Sequence, residues 1–291
     1  MVNQIEHLIS DAQMRTLLHC CLEEDGGISG DVTTNSLKLV GARGSFFVNI
    51  RGSGTIAGLE PIASAIDVFG DLTMELLQHD GDVVQDENIA ILEGEVQSIL
   101  VAERTILNIL GHASGIATHT KKFVDAVAGT NCKVCDTRKT TPGLRLLDKY
   151  AVQCGGGTSH RMGLYDAALY KDNHLAEFTD FHTELGAAID CAKEDSDLRF
   201  IEVEVDTITQ LEIVLTLPVD IVLLDNMPPE LLVQAVALRD KADSSPLLEA
   251  SGGVHLETVR AIAETGVDRV SIGGLIHQAT WIDVGLDAID G

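Results

Sequence analysis

The sequence predicts a two-part α/β protein, with an α+β unit over residues 1–103 and an α/β barrel in the second half. Three observations carry this. From Lys133 onward, apolar strand-like segments alternate with helical stretches, the rhythm of parallel βαβ units. Every one of those strands stops in polar or glycine residues: Asp136-Thr-Arg-Lys, Lys171-Asp-Asn, Glu204-Val-Asp206, Asp225-Asn226, Ser251-Gly-Gly253 and Gly273-Gly274. The first half lacks this rhythm. A doubly wound sheet gives a similar βα pattern, but it gathers its functional residues at one switch point. Polar residues after all six strands favour a barrel, whose active site lies at the C-terminal strand ends.

The elements follow in order. An amphipathic helix is expected over Ser10–Glu24. Gly44–Arg51 and Val83–Leu92 are short alternating segments bounded by turn signals. Residues 104–128 keep helical periodicity over a long stretch. The barrel strands are expected at Lys133–Asp136, Ala167–Lys171, Phe200–Val205, Asp220–Leu224, Leu247–Ala250 and Arg269–Ile272. Helices are expected at Leu144–Gln153, Thr207–Leu217, Pro229–Lys241 and Leu256–Thr265.

Composition narrows the function classes. The chain has 291 residues, 45% of them hydrophobic, enough for a full core. Its net charge of −25 disfavours nucleic acid and anionic membranes as partners. No apolar run reaches the ~20 residues a bilayer span needs. The start, Met-Val-Asn-Gln-Ile-Glu-His, lacks the basic and apolar regions of a secretory signal. The six Cys are scattered, as reduced cytoplasmic thiols are.

Positive charge is concentrated in one place. Lys133 to Lys171 holds seven Lys/Arg against three Asp/Glu, a net +4 that leaves −29 outside it. Arg138, Lys139, His160, Arg161 and Lys171 beside glycines suit a small, highly charged anion. The alternative is a solvated basic face. Glu202, Glu204 and Asp206 alternate along one strand and would share a face. Turned inward they need cations, a metal or ligand hydroxyls, and Asp225 ends the next strand. The alternative is the solvent face of an edge strand. With phosphate-binding loops nearby, these carboxylates suit Mg²⁺ held mainly through substrate phosphates. The loops Ser251-Gly-Gly253 and Gly273-Gly274 let backbone amides approach a phosphate, and His277 lies just beyond. His112 and His119 read as structural. Cys132-Lys-Val-Cys135 lies within a strand and lacks a second pair at zinc spacing, which disfavours a redox or metal role.

These segments resemble the quinolinate phosphoribosyltransferase family. The resemblance rests on Asp136-Thr-Arg-Lys-Thr-Thr-Pro-Gly-Leu-Arg145, Gly155-Gly-Gly-Thr-Ser-His-Arg161, Leu169-Tyr-Lys-Asp-Asn-His174, Glu202-Val-Glu-Val-Asp206, Leu223-Leu-Asp-Asn-Met227 and Glu249-Ala-Ser-Gly-Gly253. Gly30-Asp-Val-Thr-Thr34, Glu103-Arg-Thr-Ile-Leu-Asn108 and Ser114-Gly-Ile-Ala-Thr118 extend it through the first half. Ser159 departs from the pattern, where Asn is expected before the His-Arg pair.

The resemblance implies an N-terminal α/β sandwich domain (1–116) and an incomplete α/β barrel (117–275) of the type II phosphoribosyltransferase kind. The tail 276–291 would return to the first domain. It implies a cytoplasmic homodimer with shared active sites, acting on quinolinate and 5-phosphoribosyl-1-pyrophosphate with Mg²⁺. Arg138, His160, Arg161 and Arg104 of the partner subunit would hold the quinolinate carboxylates. Lys139 and Lys171 would face carboxylate and pyrophosphate. Glu204 and Asp225 would hold ribose hydroxyls, directly or through Mg²⁺. Ser251, Gly252, Gly253, Gly273 and Gly274, with His277, would hold the 5-phosphate. Relatives linked to molybdenum transport and a non-catalytic phosphosugar sensor are the rivals. The complete cationic set argues against the first, and the retained Lys139, Glu204 and Asp225 against the second.

Overall fold

The computed structural model describes residues 8–289 apart from Lys38, Val40 and Glu177. The first seven residues, which carried the reading on a secretory signal, lie outside them, as do the last two of the tail. In chain order the elements of the first half are α1 (Asp11–Gly26), α2 (Val32–Ser36), β1 (Arg43–Thr55), α3 (Leu59–Ser64), β2 (Leu72–Leu76), β3 (Val83–Glu95) and α4 (Val96–Ala126). The second half runs β4 (Lys133–Cys135), α5 (Arg145–Cys154), β5 (Ala168–Tyr170), α6 (Asp172–Leu175), α7 (Phe181–Ala192), β6 (Ile201–Val205), α8 (Ile208–Val214) and β7 (Ile221–Asp225). It continues with α9 (Pro229–Arg239), β8 (Leu247–Ser251), α10 (Leu256–Ala263), β9 (Arg269–Ser271), α11 (Gly274–His277) and β10 (Asp283–Ala288). The chain divides into two compact units. One holds residues up to Lys121, Thr140–Gly156 and Leu275 onward; the other holds Lys122–Lys139 and Gly157–Gly274.

The first unit is built on a four-stranded antiparallel sheet in the order β10-β1-β3-β2. Long β1 pairs β3 over most of its length, with register shifts after Val48 and Ile50. On its other edge β1 pairs the tail strand β10, Val48 opposite Leu286. Ser10 starts α1 with a capping box to Gln13. The motif Ser114-Gly-Ile-Ala-Thr118 on α4 is structural here. Ser114 Oγ accepts the N–H of Ala57 and Thr118 Oγ1 that of Thr55. Between them, a Cβ on Gly115 would stand 2.4 Å from the Thr280 carbonyl oxygen, so only glycine lets the tail backbone pass. Helix α4 starts at Val96, well before the expected Arg104. His112 is structural, as expected: its Nε2 lies 2.7 Å from Asp148 and its ring stands edge-on to Trp281.

The second unit is a six-stranded, wholly parallel sheet in the order β4-β9-β8-β7-β6-β5. The outer strands β4 and β5 do not pair with each other, so the barrel is incomplete. Val134, Val203, Val205, Val222, Leu224, Leu248 and Val270 are buried along it. Helices α8, α9 and α10 bury Leu211, Leu232 and Val259. Near-continuous apolar strands of this kind belong to sheets covered on both faces. Because all six strands run the same way, their C-terminal ends share one edge of the sheet.

Candidate active site

Register places the first pair. In the β5–β6 ladder Tyr170 stands opposite Val203, so the next residues, Lys171 and Glu204, come side by side. They form an ion pair with Glu204 largely buried and Lys171 partly exposed. On the next strand Asp225 stands opposite Ser251 of β8. Asn226 turns the chain there with φ +51°. Its N–H donates to the Ser251 carbonyl at 2.9 Å, and its amide donates to Asp225 Oδ2 at 2.6 Å. Gly252, φ +95°, lies under that amide; a Cβ would meet Asn226 Oδ1 at 2.2 Å. Two more residues meet across β4 and β9. The stem of Lys139 crosses Gly273, where a Cβ would stand 2.6 Å from its Cδ.

The loop after β4 presents the cations. Thr137 Oγ1 accepts the Lys139 N–H at 3.0 Å, and Arg138 and Lys139 are exposed beyond it. Arg161 is 7% exposed, and its Nη1 donates to the Ala167 carbonyl at 3.3 Å. The intervening loop is fixed by Asp166, which accepts the N–H groups of Met162 and Gly163 and pairs with Arg199. Burial and the nearby Arg138 charge hold the Arg161 guanidinium below its usual pKa. Among the described residues, Arg138, Lys139 and Arg161 form no ion pair with a carboxylate. A cluster of like charges without ion-pair partners suits an anion.

His160 is placed otherwise than expected. Its ring is buried. Nε2 lies 3.0 Å from Glu202 and 3.3 Å from Glu249, and Nδ1 accepts the Arg161 N–H at 2.7 Å. Both ring nitrogens are thus engaged inside the protein. Burial opposes a charge on the ring, yet the two carboxylates outweigh it and raise its pKa to about 9. Burial and the neighbouring Glu249 push the Glu202 carboxyl up. Glu249, despite burial, is held low by His160 and Arg269, whose Nε lies 3.0 Å away.

Of the alternating carboxylates, Glu202 and Glu204 are buried on β6, but Asp206 lies past the strand end, exposed, its N–H on Gln210. Ser251, Gly252, Gly253, Gly273 and Gly274 sit at the strand ends of the second unit. Arg104, exposed and paired with Glu103, and His277, exposed at the end of α11, group with the first unit. Lys149, counted in the basic segment, is fully buried in the first unit as well. Cys132 and Cys135 are free and buried; burial pushes both thiols up to about 12, against a redox role. Sequence reasoning missed Glu249 and Arg269 as a pair. The available signal was a lone charge in each of two short apolar strands.

Comparison with known proteins agrees with this geometry. Residues 31–114 match the N-terminal domain, and 116–287 the C-terminal domain, of quinolinate phosphoribosyl transferase. A nicotinate-nucleotide pyrophosphorylase [carboxylating] from Mycobacterium leprae is 40% identical over 96% of this chain and 100% of its own. A quinolinate phosphoribosyltransferase [decarboxylating] from Nicotiana tabacum is 35% identical over 94% and 81%. The crystal structure of the nicotinate-nucleotide pyrophosphorylase from Ehrlichia chaffeensis superposes with TM-score 0.85 at 38% identity, covering 97% of this chain and 99% of that one. That of NadC from Streptococcus pyogenes gives 0.89 at 34%, with the same coverage. Two family domains in order, matched over nearly the whole length by relatives well above 30% identity, place this chain in the quinolinate phosphoribosyltransferase family.

Proposed function

We infer that the chain transfers phosphoribosyl from 5-phosphoribosyl-1-pyrophosphate to quinolinate with decarboxylation. The products are nicotinate mononucleotide, pyrophosphate and CO₂, a step of NAD biosynthesis. The observation that carries it is Arg138, Lys139 and Arg161 standing together at the strand ends with no ion-pair partner among the described residues, where two polyanionic substrates would supply one.

Arg138 and Arg161 take the quinolinate carboxylates, with Arg104 of the partner subunit as a further fork in a homodimer with shared sites. Arg104 of this chain is exposed and paired only with its neighbour Glu103 among the described residues, a surface pair that a second subunit's substrate would replace. Lys139, lying over Gly273, bridges toward pyrophosphate. Lys171 is already neutralised by Glu204, so that pair positions ribose rather than adding net charge. Asp225 faces the second ribose hydroxyl. Ser251, Gly252, Gly253, Gly273 and Gly274 cradle the 5-phosphate, with His277 at the end of the same short helix as Gly274. The donors near the ribose are carboxylate oxygens, the hard ligands Mg²⁺ prefers. Asp225, with no Lys partner, is the better protein ligand. Bound Mg²⁺ offsets the charge of the departing pyrophosphate.

Pyrophosphate loss leaves an oxocarbenium-like ribose that the pyridine nitrogen attacks. As the adjacent carboxylate leaves as CO₂, its electron pair stays on the ring carbon, stabilised by the neighbouring cationic nitrogen, and that carbon then takes a proton from solvent. No general base is needed, and the protein's work is positioning and electrostatics. Incubation with quinolinate, phosphoribosyl pyrophosphate and Mg²⁺ should yield nicotinate mononucleotide. Nicotinate should be a poor substrate, because one missing carboxylate leaves part of a cationic set that includes the nearly buried Arg161 unpaired. Comparable kcat/KM for the two acids would refute the assignment.

A further inference from the structure

The cluster of His160, Glu202, Glu249 and Arg269 lies behind the substrate cations and no step above uses it. All four side chains are buried, each from a different segment: the loop before β5, β6, β8 and β9. Glu202 and Glu249 are fully buried and come from strands separated only by β7. Ion-pair distances of 3.0 and 3.3 Å join them to His160 Nε2, and 3.0 Å joins Glu249 to Arg269. Arg269 Nε also lies 3.3 Å from the Cys135 sulfur.

The cluster is tied to the site through the peptide between His160 and Arg161. His160 Nδ1 accepts the Arg161 N–H at 2.7 Å, and Asp136 Oδ1 accepts the His160 N–H at 2.8 Å. The peptide joining His160 to Arg161 is therefore held on both sides. Swinging the imidazole off its carboxylates would release the Arg161 amide and move the guanidinium. Asp136 adds a second lever, since Thr137 and Arg138 follow it directly in the chain.

We propose that Glu202, Glu249 and Arg269 are positioning residues that lock the His160 ring, and through it Arg161, in register with the carboxylate-bearing substrate. His160 is then a strut beneath the quinolinate site and not itself a contact of the substrate. Glu204, two residues along β6, faces Lys171 instead, so damage to the cluster should reach one substrate and spare the other. The residues also suggest a cation site, but Arg269 against Glu249 supplies the positive charge that an ion would bring.

The inference rests on the quinolinate reading, so wild-type turnover of quinolinate is measured first; its absence sinks that reading and not this one alone. Given turnover, Glu202→Gln and Glu249→Gln should raise the KM for quinolinate by roughly tenfold or more, as misplacement of a binding group does. The KM for phosphoribosyl pyrophosphate should stay within about twofold by the same logic. His160→Gln, whose amide can reach toward the same carboxylates, should lose less than His160→Ala. If either single variant proves insoluble, Glu249→Gln/Arg269→Met removes the ion pair as a pair, which buried pairs tolerate, and should show the same selective loss. Parallel loss of both KM values, wild-type KM values in the variants, or a metal ion held by the purified protein and lost in Glu202→Gln would each overturn the proposal.

Discussion

Arg161 keeps its charge where a guanidinium is costly to keep, nearly buried and beside a second cation. Such a group is there for a ligand. Arg161→Ala and Lys139→Ala should each lose roughly 2–4 kcal/mol in kcat/KM, on the order of a hundredfold or more, since each removes a charge-assisted contact to a bound anion. Circular dichroism and thermal melting should be little changed; wild-type kinetics in both would return the cluster to a solvated face. The thiols give an independent check. A thiol with pKa about 12 holds on the order of one part in ten thousand as thiolate at pH 8. Exposed Cys20 and Cys191 should therefore react with a thiol reagent in minutes. Cys132, Cys135 and Cys154 should react only after unfolding, and rapid labelling of either Cys132 or Cys135 in the folded protein would contradict this. At this scale residue types were easier to read than their neighbours. Arg138, Lys139 and Lys171 stand where strand ends predict. The His160 ring does not, because its partner Glu249 comes from a strand far along the chain.

The ribose end of the proposed site is placed by the register of the β6–β7 pair alone. Glu204 and Asp225 sit at neighbouring strand ends, one compensated by Lys171 and one not. Glu204→Gln and Asp225→Asn should weaken phosphoribosyl pyrophosphate turnover and its Mg²⁺ dependence, with quinolinate affinity retained. Calorimetry showing lost quinolinate binding and normal phosphoribosyl pyrophosphate handling would reverse the assignment. The strands of the barrel were legible to within a residue, because each is a short apolar run closed by polar or glycine residues, but helix α7 was not anticipated and α8 stops at Val214, short of the expected Leu217. The N-terminal sheet was legible in part. Gly44–Arg51 and Val83–Leu92 marked β1 and β3 but undershot both, since the strands run on through glycines and charges to Thr55 and Glu95. Strand β10, Asp-Val-Gly-Leu-Asp-Ala, was not legible as a strand. It is short, contains glycine, and is stabilised by a partner over two hundred residues earlier. The start of α4 was missed too, because Val96-Gln-Ser is a poor helix opening that β3 leads into directly.

For the whole molecule, the strongest expectation is that sites are shared across a two-fold dimer. Arg104→Ala and Lys171→Ala should each be nearly inactive alone. Co-refolded mixtures should recover about a quarter of wild-type activity, because about half the dimers are mixed and each has one intact site of two. Mixtures as inactive as their components would place Arg104 in its own subunit's site or outside both. The two-unit organisation was legible as a change of rhythm near Lys133. The return of residues beyond Leu275 to the first unit came only from the family resemblance, since no local pattern encodes it. That return has a consequence for how the protein is made on the ribosome. The outer edge of β1 has its hydrogen-bonding partner only once β10, which follows the whole second unit in the chain, has emerged. Until then β1 offers an unpaired strand edge of the kind that recruits other nascent chains. Completion of the first unit thus waits on translation of the second.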